Sequence, residues 1–330
     1  MSHVHPISPL GPVKVAVTFD DILLFRGFPM PPGYDLLGNA RTFSRGLATH
    51  GIRNIYAFSN TYPAEEDREV LRVFDYWLTQ GHHVGNHTHH HASLNWIDAK
   101  AYVGDIERAA DILEPWISQA PRRTFRYCMD MWGDTREKLE AVKSYLDAAG
   151  YTPVPISIGF HDMQYTAPYW RTLKAGDKDG AAWMRRVYIE SAVHELRKNA
   201  ANARAVFGRD PVHIWLIHGT PIASDCLSEI LDRFAEAGVE FVSLDEALAD
   251  PMNADVPPRL NSEFLHQVEK WAIVHDVPVD ARPDPVIAEV EKMHPVPGES
   301  SADYFRIMTA LMPERLGAQV RPFPIHACQR

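Results

Sequence analysis

The chain has 330 residues, 45% of them hydrophobic and 23% charged, which suits a soluble globular protein with one large domain or two smaller ones. Its 33 basic and 43 acidic residues leave a net charge of −10, and only Arg122, Arg123 and Arg126 form a notable basic group. That balance excludes the electrostatic footprint of a nucleic-acid or membrane-surface binder. No stretch approaches the ~18 apolar residues of a membrane span, Met1 to Pro12 lacks a charged and then apolar leader, and Cys128, Cys226 and Cys328 lie far apart, as reduced thiols do. The expectation is a cytoplasmic protein.

Val13 to Phe19 alternates and is rich in β-branched residues, so it reads as a strand, ending in Asp20-Asp21. Ile22 to Gly38, with Pro29, Pro31 and Pro32, reads as a long loop and a candidate pocket wall. Asn39 to His50 looks helical and Ile55 to Phe58 is a short buried strand. Thr61 to Gly81 reads as one helix, with Thr61 as cap, Pro63 in the first turn and a stripe of Val70, Val73, Phe74, Trp77 and Leu78. Asp98 to Trp116, Thr135 to Gly150 and Asp225 to Gly238 repeat that pattern. Short apolar runs separate them at Thr124–Tyr127, Val154–Ile158, Val212–Ile217 and Val239–Leu244. Such alternation predicts an α/β protein with a mainly parallel sheet, and about seven units favour a barrel. Residues 250–330 differ, with eleven prolines and expected helices at Ser262–His275 and Ala302–Leu311. They read as an extension that packs on the core or on a partner subunit, which leaves a homo-oligomer open.

The polar clusters share a position. Asp20-Asp21 ends the first strand, His87 and His91 follow a short strand at Val84, Arg126 follows the Thr124 run, His161-Asp162 follow Val154–Ile158, and His218 follows Val212–Ile217. Singly, each has an ordinary role: an Asp after a strand caps or turns, clustered histidines can be solvated surface, and an arginine can be a surface ion pair. In a parallel barrel, however, all these ends open on one rim, where active sites are built. In the tract Val84-Gly-Asn-His-Thr-His-His-His91, His87 and His91 stand four apart, and on a helical turn both imidazoles would reach one metal ion.

Thr18-Phe-Asp-Asp21, His87-Thr-His-His-His91, Arg126 and Leu216-Ile-His218, in this order, resemble the motifs of the polysaccharide deacetylase family, the NodB-homology or carbohydrate esterase family 4 group. The resemblance covers roughly residues 13–249. It implies a distorted (β/α) barrel of the NodB-homology type, with residues 1–249 as catalytic domain and 250–330 as proline-rich C-terminal extension. It also implies metal-dependent hydrolysis of N-acyl groups. Carried over by motif, Asp21, His87 and His91 are metal ligands, Asp20 is the general base, His218 the general acid, and Arg126 positions Asp20. Thr88 orients the histidine loop, and Asp162 is the acid that pairs with the catalytic histidine. His89 and His90 receive no role and read as exposed or packing residues. One carboxylate and two neutral imidazoles leave a bound ion open to activate water; zinc is the default, with cobalt, nickel or iron as alternatives. Two positions depart from the family: Cys128 stands where a proline is usual, and Met163 where a tryptophan is usual.

The expected function is hydrolysis of a C–N amide bond. The substrate reading puts a small N-acyl compound, cyclic imide or ureide first and an N-acetylated amino sugar or polysaccharide second. A non-catalytic metal-binding or interaction protein and a metal-dependent lyase are the minor readings, since fold alone does not fix a reaction.

Overall fold

The computed structural model of the chain describes residues 12–254 and 264–320. Cys328 and the first two residues of the expected Ser262–His275 helix lie outside the described residues. Among the latter, seven strands form one sheet: β1 (Val13–Asp20), β2 (Tyr56–Ser59), β3 (His83–Asn86), β4 (Thr124–Phe125), β5 (Thr152–Pro153), β6 (Val212–His218) and β7 (Val239–Phe241). The order is β5-β4-β3-β2-β1-β6, with β7 beside the first residues of β1. All pairings are parallel. A parallel sheet needs cover on both faces, which explains why β1 is buried at nearly every position.

The expected strand at Val154–Ile158 is reduced to a single bridge between Ile158 and Trp215. Pro153 and Pro155 have no N–H to give a ladder, so pairing lapses between them and Ser157. The N–H groups of Ser157 and Ile158 then donate to the Ile214 carbonyl at 3.0 and 3.1 Å. The chain leaving one edge of the sheet is thereby tied to β6 at the other, and the sheet curls into a distorted (β/α) barrel. Gly85 in β3 is required by close packing against its neighbours: a Cβ there would lie 2.5 Å from the Phe58 ring and 2.7 Å from the Thr124 hydroxyl.

Helices sheathe the sheet where side chains close their first turns. Asp35, Asp98, Thr135 and Thr220 cap Leu36–Thr49, Ala99–Ile117, Arg136–Ala148 and Pro221–Glu236. The expected single helix from Thr61 to Gly81 is instead Pro63–Glu66, a 3₁₀ turn Arg68–Leu71 and Arg72–Thr79. It breaks at Asp67, which is extended and whose carboxylate accepts the Glu69 N–H. Thr61 does not cap it; its hydroxyl bonds to the His89 ring at 2.7 Å.

One long element escaped the sequence reading. Lys178–Phe207 is a 30-residue helix whose buried residues are spread around its surface rather than along one stripe. It packs against both Pro221–Glu236 and Gln267–His275, so periodicity alone could not reveal it.

The C-terminal segment carries Gln267–His275, Val286–Glu291, Ser301–Thr309 and Leu311–Leu316. Its described part packs on the loops at the carboxyl ends of the strands. Met312 Sδ accepts the Ser93 N–H, Gln319 N–H donates to the Trp96 carbonyl, Lys270 Nζ donates to the Asp130 carbonyl, and the Tyr304 ring meets that of Phe28 at 4.9 Å.

Candidate active site

The ladder brings the first three polar groups together. Asp20 of β1 is the register partner of His218 in β6, and Asn86, the last residue of β3, is the partner of Phe125 in β4. His87 and Arg126 therefore leave adjacent strands side by side. Arg126 Nη1 donates to Asp20 Oδ1 at 2.6 Å, its Nε to the Val154 carbonyl, and its guanidinium lies over the Phe58 ring. Arg126 is fully buried, and Asp20 nearly so. Burial pushes the Asp20 carboxyl above its ordinary value, while the charges of Arg126 and His218 pull it down. Its second oxygen, Oδ2, stands 3.7 Å from His87 Nε2.

Across from Asp20, His218 Nδ1–H donates to Asp162 Oδ1 at 2.7 Å, and the His218 backbone N–H donates to Asp162 Oδ2 at 2.8 Å. Burial alone would lower the imidazole's pKa, but the charge and hydrogen bond of Asp162 outweigh it and raise the value to about 9. The free nitrogen, Nε2, faces Asp21 Oδ2 at 4.0 Å. Gly219 makes this approach possible, since a Cβ there would fall 2.7 Å from the Ile22 Cα.

Asp21 sits on the opposite alternation from Asp20 and must be turned to share the site. It is turned by a left-handed backbone, φ 50°. Asn60 Nδ2 donates to Asp21 Oδ1 at 2.9 Å, while Asp21 Oδ2 is buried without a hydrogen-bond partner, 3.4 Å from His91 Nε2. Burial raises the Asp21 carboxyl to about 7, with the His218 charge opposing it. His87 donates Nδ1–H to the Arg126 carbonyl at 2.9 Å, which leaves Nε2 its lone pair. Burial lowers His87 to about 3 and His91 well below its ordinary value, so both rings are neutral.

His87 and His91 meet, with ring centroids 5.0 Å apart, but not on a helix. Thr88 and His91 are left-handed, at φ 60° and 52°, and the tract is an irregular turn. Its scaffold is Asp105, which sequence reasoning missed. Asp105 Oδ2 accepts the backbone N–H of both His89 and His90, and Oδ1 accepts His90 Nδ1–H at 2.5 Å. Those two histidines are buried, which corrects the exposed half of the expectation: His89 is held between the Thr61 hydroxyl and Glu65. The signal for Asp105 was an acid on the inward stripe Tyr102, Ile106, Ala109 of its helix. Thr88 Oγ1 accepts the Ala92 N–H at 2.8 Å and so closes the turn.

All seven site residues expected from the sequence thus converge, joined by Asn60 and Asp105. An orphaned carboxylate oxygen facing neutral imidazoles fits a divalent cation, which no polar protein group replaces there. Among the described residues, His87, His91 and Cys128 offer three donor atoms lying within 4.8 Å of one another. Donor atoms that fit a cation, beside a braced carboxylate and a braced histidine, are the arrangement that a metal-dependent hydrolase uses.

Residues 8–152 of the chain match the family model for polysaccharide deacetylase. Among solved structures, a mutant of a Bacillus anthracis CE4 family pseudoenzyme with restored enzymatic activity is 16% identical, with 74% of this chain and 69% of that chain covered and a TM-score of 0.50. The wild-type pseudoenzyme is 14% identical, over 74% and 66% of the two chains, with a TM-score of 0.49. PdaA of Bacillus subtilis, a family 4 carbohydrate esterase, is 15% identical over 74% and 84%, with a TM-score of 0.44. No curated protein matches the chain.

Proposed function

We propose that the chain is a metal-dependent deacetylase that hydrolyses the N-acetyl amide of an amino sugar. The family match favours this substrate over the small amide, imide or ureide placed first by the sequence reading. The observation that carries the reaction is the pairing of register partners Asp20 and His218, each braced by a buried residue of opposite function: Arg126 for the base and Asp162 for the acid.

Asp21 Oδ2, His87 Nε2 and His91 Nε2 would hold the ion. When bound, such an ion supplies Lewis acidity, making water a stronger acid and the acetyl carbonyl more electrophilic. Arg126 occupies Asp20 Oδ1, so Oδ2 is the oxygen left to take a proton from the attacking water. Arg126 also opposes the burial that raises the Asp20 carboxyl, and so favours its ionised form. As the C–N bond breaks, His218 Nε2–H gives its proton to the departing amine. Asp162 holds the ring by Nδ1 and maintains the protonated form that the step needs. Acetate and the free amine are the products.

One observation favours the smaller substrate reading. Asp21, His87 and His91 are at most 4% exposed, and the segment 264–320 crosses the rim above them. A site so covered suits a single unit, a chain end or a small N-acyl compound rather than the middle of a polymer. The test is to incubate zinc- or cobalt-loaded protein with N-acetylated amino sugars, their short oligomers, polymer, cyclic imides and ureides. Acetate released from the sugars is expected. Ring opening of imides or ureides without acetate release would replace this proposal, and no turnover of any of them would leave a non-catalytic metal-binding protein.

A further inference from the structure

Cys128 is not accounted for by the reaction above. It lies on the loop that follows β4, and its Sγ is one of three donor atoms, with a ring nitrogen each of His87 and His91, that fall within 4.8 Å of one another. Its side chain is fully buried. The sulfur donates to the His87 carbonyl at 3.2 Å and lies 3.5 Å from the Thr88 hydroxyl, so it is packed against the turn that carries the two histidines.

The loop is braced to keep it there. Arg126 N–H donates to the Asn86 carbonyl at 3.0 Å, which ties the start of the loop to the end of β3. Immediately after Cys128 the chain reverses through two consecutive left-handed residues, Met129 (φ 55°) and Asp130 (φ 51°). Such backbone is costly for non-glycine residues and persists only where the surroundings over-determine it. Here Asp130 Oδ1 accepts the Trp132 indole N–H at 2.8 Å, and Lys270 Nζ reaches the same carboxylate at 3.1 Å and the Asp130 carbonyl at 3.0 Å. Residues from the C-terminal segment thus hold in place a turn whose inward-facing side chain is a thiol.

A further atom points to a ligand beside these histidines: Asp21 Oδ2 is buried without a hydrogen-bond partner, 3.4 Å from His91 Nε2. Resting on the proposed metal-dependent reading, we propose that Cys128 Sγ is a protein donor to the bound ion, beside His87, His91 and Asp21. On binding, the thiol gives its proton to solvent and coordinates as thiolate, exchanging the weak bond to the His87 carbonyl for a metal–sulfur bond. A donor set of one sulfur, two nitrogens and one oxygen selects zinc or cobalt over magnesium or manganese, whose ligands are oxygens.

X-ray absorption at the zinc edge of the full chain, loaded with zinc alone, tests this without any substitution. A sulfur shell at about 2.3 Å alongside nitrogen and oxygen at about 2.0–2.1 Å is expected. Cobalt-loaded protein should also show a near-ultraviolet thiolate-to-cobalt charge-transfer band that disappears in Cys128→Ser and Cys128→Ala, both checked for native circular dichroism. One ion per chain with only nitrogen and oxygen neighbours overturns the role of Cys128 and leaves the deacetylase reading standing. An absence of any bound ion overturns both.

Discussion

The two halves of the site are held by different parts of the fold. Asp20, Arg126 and His218 sit at or just beyond the ends of strands, where the parallel ladder sets their spacing. Asp21 and His91, with Thr88, Met129, Asp130 and His161 around them, sit on left-handed backbone instead. Each such residue costs about 1–3 kcal/mol that the surroundings must offset, and here buried side chains do so: Asn60 for Asp21, Asp105 for the histidine turn, Lys270 for the loop carrying Cys128. The groups proposed to move protons thus inherit precision from the sheet. The groups proposed to hold the ion depend on a network of buried polar contacts, and that network is where the chain spends conformational strain.

Substitutions can separate the halves. The largest effect is expected at the turn-borne half. His91→Ala should remove the ion and all activity while leaving the sheet intact, because no ladder bond involves that residue. Metal content by emission spectroscopy and the far-ultraviolet circular dichroism spectrum check both parts. Next is the brace of the acid. Burial lowers the His218 imidazole, but Asp162, with help from Asp21 and Asp20, raises it to about 9. In Asp162→Asn that support is gone and burial lowers the imidazole's pKa. The alkaline limb of the activity profile should move to lower pH and kcat at neutral pH should fall on the order of tenfold or more, with the ion retained. An unmoved limb would mean that another group sets it. The smallest effect on chemistry and the clearest on stability belongs to Asp105→Ala. It strips the acceptor from two backbone N–H groups and the His90 ring, and should cost about 3 kcal/mol in denaturant unfolding. A loss within experimental error would show that the turn stands without it.

The same division explains what was legible from the sequence. Strand β1 and the helices Ala99–Ile117 and Arg136–Ala148 came within a few residues, because apolar spacing and capping residues act locally. Placing Asp20, Arg126 and His218 on one rim followed from strand polarity alone. The turn-borne half was legible only as residue types. Its motif named His87 and His91, but the expected helical turn is replaced by backbone that Asp105 shapes from another helix, and nothing local encodes that. Lys178–Phe207 was missed for a related reason: it is covered on more than one side, so its sequence lacks a single apolar stripe. The C-terminal segment showed its helices at Gln267–His275 and Ser301–Thr309, yet its course over the strand ends depends on tertiary contacts such as those of Met312 and Tyr304.

The central claim is that Asp20 takes a proton and does not hold the ion. It is tested most directly by measuring bound ion and acetate release on the same sample of Asp20→Asn. The amide keeps the shape of the carboxylate but cannot accept the proton. Full ion content with turnover reduced about 10²–10⁴-fold is the predicted result. Turnover at the wild-type rate with the ion in place would contradict the account.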